Sequence, residues 1–303
     1  MNRLRNILNG SFDNEEERFD FALERKQRKT RKKVKTVKVK QVIKESDVSI
    51  PPPHPNLLPI PFSLLVVARK GSGKTVMVQY LLDIYHKYFD NIYIISPTAN
   101  LDFKWIKMIE KLNIPHEHVF EGYNEKKMSA LLESIKNINE GKKNKDKMKC
   151  LLIFDDAVEQ MPHGSTRKGA LIKLAFNLRH YAISTIIVSQ AFKMLHPNLR
   201  VNASGYILYG TDNVAERGKI IEEISGNIGR KKFERLWLET VSKKFDFLFI
   251  NYEDRKLYRN FETVIGDLDQ LPVLLFDNVD KEKKKEPEIK KEINEKKQIE
   301  KND

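Results

Sequence analysis

The run Ser63-Leu64-Leu65-Val66-Val67 leads directly into Ala68-Arg69-Lys70-Gly71-Ser72-Gly73-Lys74-Thr75, and an amphipathic pattern of Val76, Val78, Leu81, Leu82 and Tyr85 follows. Strand, glycine-rich turn and helix in that order restrict the chain to a narrow set of folds and to one class of ligand. Gly71 and Gly73 permit left-handed backbone and close approach without a Cβ clash. Successive N–H groups of such a turn point inward as an anion nest, and the helix that follows adds free N-terminal donors and the positive end of its dipole. The segment Arg69, Lys70, Gly71, Ser72, Gly73, Lys74 and Thr75 is therefore expected to bind a nucleoside triphosphate, with Lys74 on the β- and γ-phosphates and the Thr75 hydroxyl on Mg2+. The first position of the loop is Ala68 rather than glycine, a small residue that still allows the tight turn.

With 303 residues, the chain is long enough for one large α/β domain with tails. Its formal net charge of +13 favours a polyanionic partner, nucleic acid first. Cys150 is the only cysteine, so no internal disulfide can form; it lies in an apolar run, and a reducing compartment fits. Residues 1–20 lack a signal-peptide core, and the longest apolar stretch, 57–68, is short and broken by prolines, so no membrane span is expected and the chain reads as intracellular.

Three regions follow from the pattern. Residues 1–56 read as a basic, flexible arm, with a cationic block from Arg25 to Lys40, ending in a proline-rich linker. The arm is suited to phosphate contact, to nuclear localisation, or to neither if it is simply solvated. Residues 57–276 read as the ATPase domain and 277–303 as a charged Lys/Glu tail. Within the domain, strands are expected at 63–68, 91–96, 151–155, 183–190 and 205–210, with a hairpin over 244–261; helices are expected at 73–88, 103–112, 127–139, 168–180, 215–225 and 231–242. Alternating strands and helices imply an α/β fold with a mainly parallel sheet flanked by helices.

Two further strand ends carry chemistry. Cys150-Leu151-Leu152-Ile153-Phe154-Asp155-Asp156 is an apolar strand that ends in paired carboxylates. Asp155 is expected to hold Mg2+ and Asp156 to orient and polarise the attacking water. Ile183 to Gln190 is an apolar strand ending in an amide, and Gln190 is suited to the γ-phosphate or the lytic water. A strand at 91–96 stands between the phosphate-loop strand and the acidic strand, an order that resembles the additional-strand catalytic division of P-loop NTPases, with its RecA-like ring motors.

Together, Ala68–Thr75, Leu151–Asp156 and Arg179-His180-Tyr181-Ala182-Ile183-Ser184 running into Val188-Ser189-Gln190 resemble the genome-packaging ATPases of large double-stranded DNA viruses and virophages, the poxvirus-type branch of the FtsK–HerA superfamily. The resemblance covers about residues 58–210. It implies a homo-oligomeric ring that hydrolyses ATP and drives double-stranded DNA into a capsid, with a capsid or portal component as partner. It also implies action in the virus factory or nucleus of the infected cell, with association to the virion. A catalytic arginine acting in trans is implied as well, and Arg179 and Arg200 flank the sensor strand, Arg200 being favoured for a subunit edge. DNA-contact candidates are Lys142, Lys143, Lys145 and Lys147 and the loop His163–Lys168.

Two other classes compete. A nucleotide kinase shares the phosphate loop but needs an acceptor pocket and an arginine-rich lid. A nucleotide-binding DNA scaffold shares the binding residues and lacks turnover. A nuclease domain is disfavoured, because the tract after Gly210 has no spaced acidic set for two metals.

Overall fold

Strands buried on both faces need near-continuous apolar sequence, and the centre of this chain supplies it. In the computed structural model, which describes residues 49–157, 160 and 169–269, β1 (Ser63–Val67), β4 (Cys150–Asp155) and β5 (Ile183–Ser189) are buried along their whole length. With β2 (Asn91–Ile95), β3 (Val119–Phe120), β6 (Gly205–Tyr209), β7 (Phe247–Asn251), β8 (Lys256–Arg259) and β9 (Thr263–Asp267) they form one sheet in the order β3-β2-β4-β5-β1-β6-β7-β8-β9. The first six pair in parallel; β6 to β9 pair antiparallel.

Alternation along each strand separates two cores. On one face, Leu65, Val67, Leu152 and Phe154 pack with α3 (Glu125–Asn139), α4 (Ala170–Tyr181), α6 (Val214–Ile224) and α7 (Arg230–Thr240). On the other, Leu64, Val66, Leu151 and Ile153 pack with α1 (Lys74–Tyr85) and α2 (Phe103–Lys111). A short α5 (Pro197–Val201) links β5 to β6. The hydroxyls buried in β5 are paired: Ser184 Oγ accepts from the Phe62 amide at 3.1 Å, and Thr185 Oγ1 donates to Ser63 Oγ at 3.1 Å.

The expected strands and helices match within a few residues at each end, and the 244–261 segment is the hairpin β7–β8. Three elements were not expected. Strand β3 has only two residues, β9 is half-exposed and contains Gly266, and α5 has a single turn. All three are too short or too weakly patterned for periodicity to register. The proline-rich segment is more than a spacer. Ile50 bridges Ile60 through two 2.9 Å backbone bonds, Leu57 and Leu58 are buried, and Asn56 Nδ2 donates to the Phe261 carbonyl at 2.7 Å. Ile50 and Asn56 thus bond to the domain that was expected to begin at 57. The cationic block at 25–40, the loop at 163–168 and the tail at 277–303 lie outside the described residues.

Candidate active site

Strand register decides where the chemistry collects. Val67 of β1 pairs with Ser189 of β5, and Asp155 of β4 pairs with Val188 of β5. The residues that leave these strands, Ala68, Asp156 and Gln190, therefore emerge together at the C-terminal edge of the parallel sheet. Strand β5 lies between the other two, and the Ala68 amide donates to the Ser189 carbonyl at 3.0 Å.

After β1, Gly71 and Gly73 take φ of +81° and +85°, and α1 begins at once. Helices α2, α3 and α6 are each closed at the N-terminus by a side chain: Asp102 accepts from Lys104 N, Asn124 from Lys127 N and Asn213 from Glu216 N. Helix α1, like α4 and α7, follows a glycine and has no side-chain cap and no acidic residue in its first turn. Its first donors and positive dipole end face the glycine-rich turn, which is the arrangement an anion requires.

Three of the expected side chains converge on one oxygen. The buried Lys74 ammonium is ion-paired with Asp156 Oδ1, and Gln190 Nε2 donates to the same oxygen at 3.3 Å. Asp156 is held at φ +52°, a left-handed conformation that a non-glycine residue adopts at a cost. Asp155 is nearly fully buried beside it. Its Oδ2 accepts from Trp105 Nε1 at 2.9 Å, and its Oδ1 is buried without a partner. Burial holds the Asp155 carboxyl above the usual carboxylate range; the Trp105 bond and the Lys74 charge oppose that rise, while Asp156 and Asp102 add to it.

The buried, orphaned carboxylate oxygen of Asp155, within reach of the Lys74 charge, is a hard oxygen donor of the type Mg2+ takes. Among the described residues, no group of three or more His, Cys, Asp or Glu side chains converges as a metal cage. Thr75 and Asp155 therefore fit an ion that completes its shell with phosphate oxygens and water.

The remaining loop residues are peripheral. Arg69 is exposed and ion-paired with Asp212, and Lys70 is exposed. Arg200, expected at a subunit edge, is instead enclosed. Its Nε and Nη2 donate to Glu223 at 2.7 and 3.0 Å, and its Nη1 donates to the Leu195 carbonyl at 2.6 Å. Its guanidinium lies 4.9 Å from the Phe192 ring centre, and the side chain is only 10% exposed. Arg179 is exposed at the last turn of α4, with a long 3.8 Å pair to Glu253. Lys142, Lys143 and Lys145 are exposed ahead of β4, at the sheet end away from the phosphate loop, and Lys147 donates to the His180 carbonyl at 3.2 Å. Sequence reading missed Trp105. Its position on α2 carries no local sign that it supports a carboxylate fifty residues later.

A glycine-rich turn on β1, acidic β4 and an interposed β5 define a P-loop NTPase fold of the additional-strand type. Residues 53–227 match the family described as Poxvirus A32 protein, and the chain belongs to that family. It is 24% identical over 192 residues to uncharacterized protein 015R of Frog virus 3 (isolate Goorha), covering 62% of this chain and 56% of that protein. It is 27% identical over 138 residues to DNA packaging protein OPG160 of Variola virus, covering 46% and 49%. The chain thus spans about half the length of the curated relatives it matches. Among solved structures, the genome packaging NTPase B204 from Sulfolobus turreted icosahedral virus 2 in complex with AMP superposes with a TM-score of 0.50. It has 17% identity and covers 66% of this chain and 96% of that one. No helix among the described residues is long and apolar enough to cross a membrane.

Proposed function

We propose that this protein is an ATP-hydrolysing motor that moves double-stranded viral DNA into capsids inside the infected cell, working as a homo-oligomeric ring against a capsid or portal component. The observation that carries the reading is the convergence of Lys74, Asp156 and Gln190 beside an uncapped helix N-terminus. The reading of DNA as the cargo is supported by the likeness to a Variola relative named a DNA packaging protein.

In this reading the Lys74–Asp156 pair is the resting arrangement. The triphosphate draws the Lys74 ammonium onto its β- and γ-oxygens and frees the Asp156 carboxylate. Asp156 then orients the attacking water and accepts its proton, and Gln190, already bonded to Asp156, fixes the water or the γ-phosphate. Thr75 and Asp155 would hold Mg2+, which would supply charge neutralisation at the phosphates.

Arg179 replaces Arg200 as the arginine offered in trans, because the guanidinium of Arg200 is spent within its own chain. Arg179 lies in the last turn of α4, just before β5, and the seven residues of that strand put it roughly 20 Å from its own phosphate loop. It can therefore serve only a neighbour's site. Contact with DNA is mostly to phosphates, through exposed lysines such as Lys142, Lys143 and Lys145, and weakens steeply with salt.

The test is ATP turnover with and without duplex DNA, beside native mass measurement of the assembly. DNA-stimulated hydrolysis, lost in Lys74→Ala and Asp156→Asn, is expected. Wild-type turnover in both variants would remove the site assignment. Transfer of phosphate to a nucleoside monophosphate, with no effect of DNA, would make the protein a kinase.

A further inference from the structure

Beside the phosphate loop lies an open cleft of about 510 Å³ rich in aromatic side chains: Gly73, Val76 and Tyr80 come from the loop and α1, Tyr209 from the end of β6, Phe245 from just before β7 and Phe247 from its start. Phe245 is the unusual member. Its φ is +75°, a conformation in which a bulky residue is a genuine outlier. Its ring is not paid back by burial, since the residue is 55% exposed. The ring instead packs on the loop, so close that a Cβ added at Gly73 would lie 3.1 Å from Phe245 Cδ1. Val76 and Tyr80 are each 53% exposed on the facing turns of α1. Tyr80 is held in place by stacking on Phe261 at 6.0 Å, with the two rings within 13° of parallel.

A strained backbone that presents an exposed aromatic face, directly against the loop expected to hold phosphates, has a ready occupant. We propose that Phe245 is the stacking platform for the nucleobase of the bound nucleotide, and that this cleft is its base subsite. The inference rests on the nucleotide-binding reading above and adds to it the residues that grip the base.

The mode of recognition follows from what lines the cleft. The Asn260 side chain is already used: its carbonyl accepts from the Phe247 amide at 3.1 Å, and its amide donates to Asp246 at 3.3 Å. Ser72 and Glu262 are the other polar residues of the lining, and the aromatic rings offer a base the larger contact area, so a purine binds better than a pyrimidine. Lys244 Nζ lies over the Phe245 ring, 4.8 Å from its centre, a cation–π contact that helps hold the platform.

The test measures binding of ATP, CTP and inorganic tripolyphosphate to the full chain by calorimetry, for wild type, Phe245→Ala, Phe245→Gly and Lys74→Ala. ATP is expected to bind more tightly than CTP to wild type. Both Phe245 variants are expected to weaken ATP by roughly tenfold or more and to leave tripolyphosphate unchanged. Lys74→Ala is expected to weaken all three. Glycine accepts φ +75° without strain, so Phe245→Gly is expected to melt no lower than wild type, which separates lost binding from lost folding. ATP affinity within twofold of wild type in Phe245→Gly, with loss in Lys74→Ala, would overturn the base subsite and leave the nucleotide reading standing. Binding of neither ATP nor tripolyphosphate to wild type would remove both.

Discussion

Trp105 Nε1 donates a 2.9 Å hydrogen bond to Asp155 Oδ2, tying the floor of the candidate metal site to helix α2 on the far side of the core. The bond leaves Oδ1 as the one unsatisfied oxygen and aims it. Trp105→Phe keeps most of the ring volume and removes the donor. It is expected to cost about 1–3 kcal/mol in chemical denaturation, because a buried acceptor is left unpaired. It is also expected to raise the Mg2+ concentration needed for half-maximal ATP turnover, a shift that packing loss alone would not give.

Asp155→Asn tests the same carboxylate from the other side. Burial disfavours the charged form of Asp155, and an amide of the same shape can still accept from Trp105. Without nucleotide or metal the variant is expected to be more stable than wild type by about 1 kcal/mol, while hydrolysis is lost. Lower stability of the ligand-free variant would show that the site is not strained by its charge.

The two candidate arginines separate by experiment. Arg200→Ala removes an enclosed guanidinium with its bonds to Glu223 and the Leu195 carbonyl, while Lys219 still pairs with Glu223 at 3.2 Å, so a loss of about 1–3 kcal/mol is expected in denaturant melts. Arg179→Ala is expected to change stability by less than about 0.5 kcal/mol, since the side chain is exposed. Its effect should appear as reduced ATP turnover of the assembled protein.

Gly205 begins β6 where an added Cβ would meet the Ile250 carbonyl of β7 at 2.6 Å. Gly205→Ala must push the two strands apart and is expected to cost about 1–3 kcal/mol. Gly218, whose added Cβ meets nothing within 4 Å, is the control: Gly218→Ala on α6 is expected to be stabilising by up to about 1 kcal/mol.

Burial pushes the Cys150 thiol up to about 12 from its ordinary 9.0, with the Asp90 charge adding to the rise. The unfolded thiol ionises first, so the unfolded state holds fewer protons between those two values. The contribution of Cys150 to stability is therefore full below pH 9 and is lost as pH rises toward 12, at about 1.4 kcal/mol per pH unit. The cost of Cys150→Ala in chemical denaturation is expected to shrink over that window, and native protein is expected to resist thiol reagents at pH 8.

The parallel core could be read directly from the chain, because strands covered on both faces must be largely apolar, and 63–67, 150–155 and 183–189 are, with the few buried hydroxyls paired. The phosphate loop was legible for a similar reason: its geometry depends on glycines at two nearby positions. Both are local demands, and local demands leave a mark in the order of residues. Tertiary structure decided what depends on meetings across the sheet. Lys74 reaches a carboxylate 82 positions away and Gln190 the same oxygen from 34 positions away, because the register of β1, β4 and β5 brings their ends level. The same holds for Trp105 under Asp155, for Phe245 against Gly73 and for the withdrawal of Arg200 into a pair with Glu223. None of these has a local signature, since a side chain's partners are set by which elements pack together and not by its neighbours in the chain.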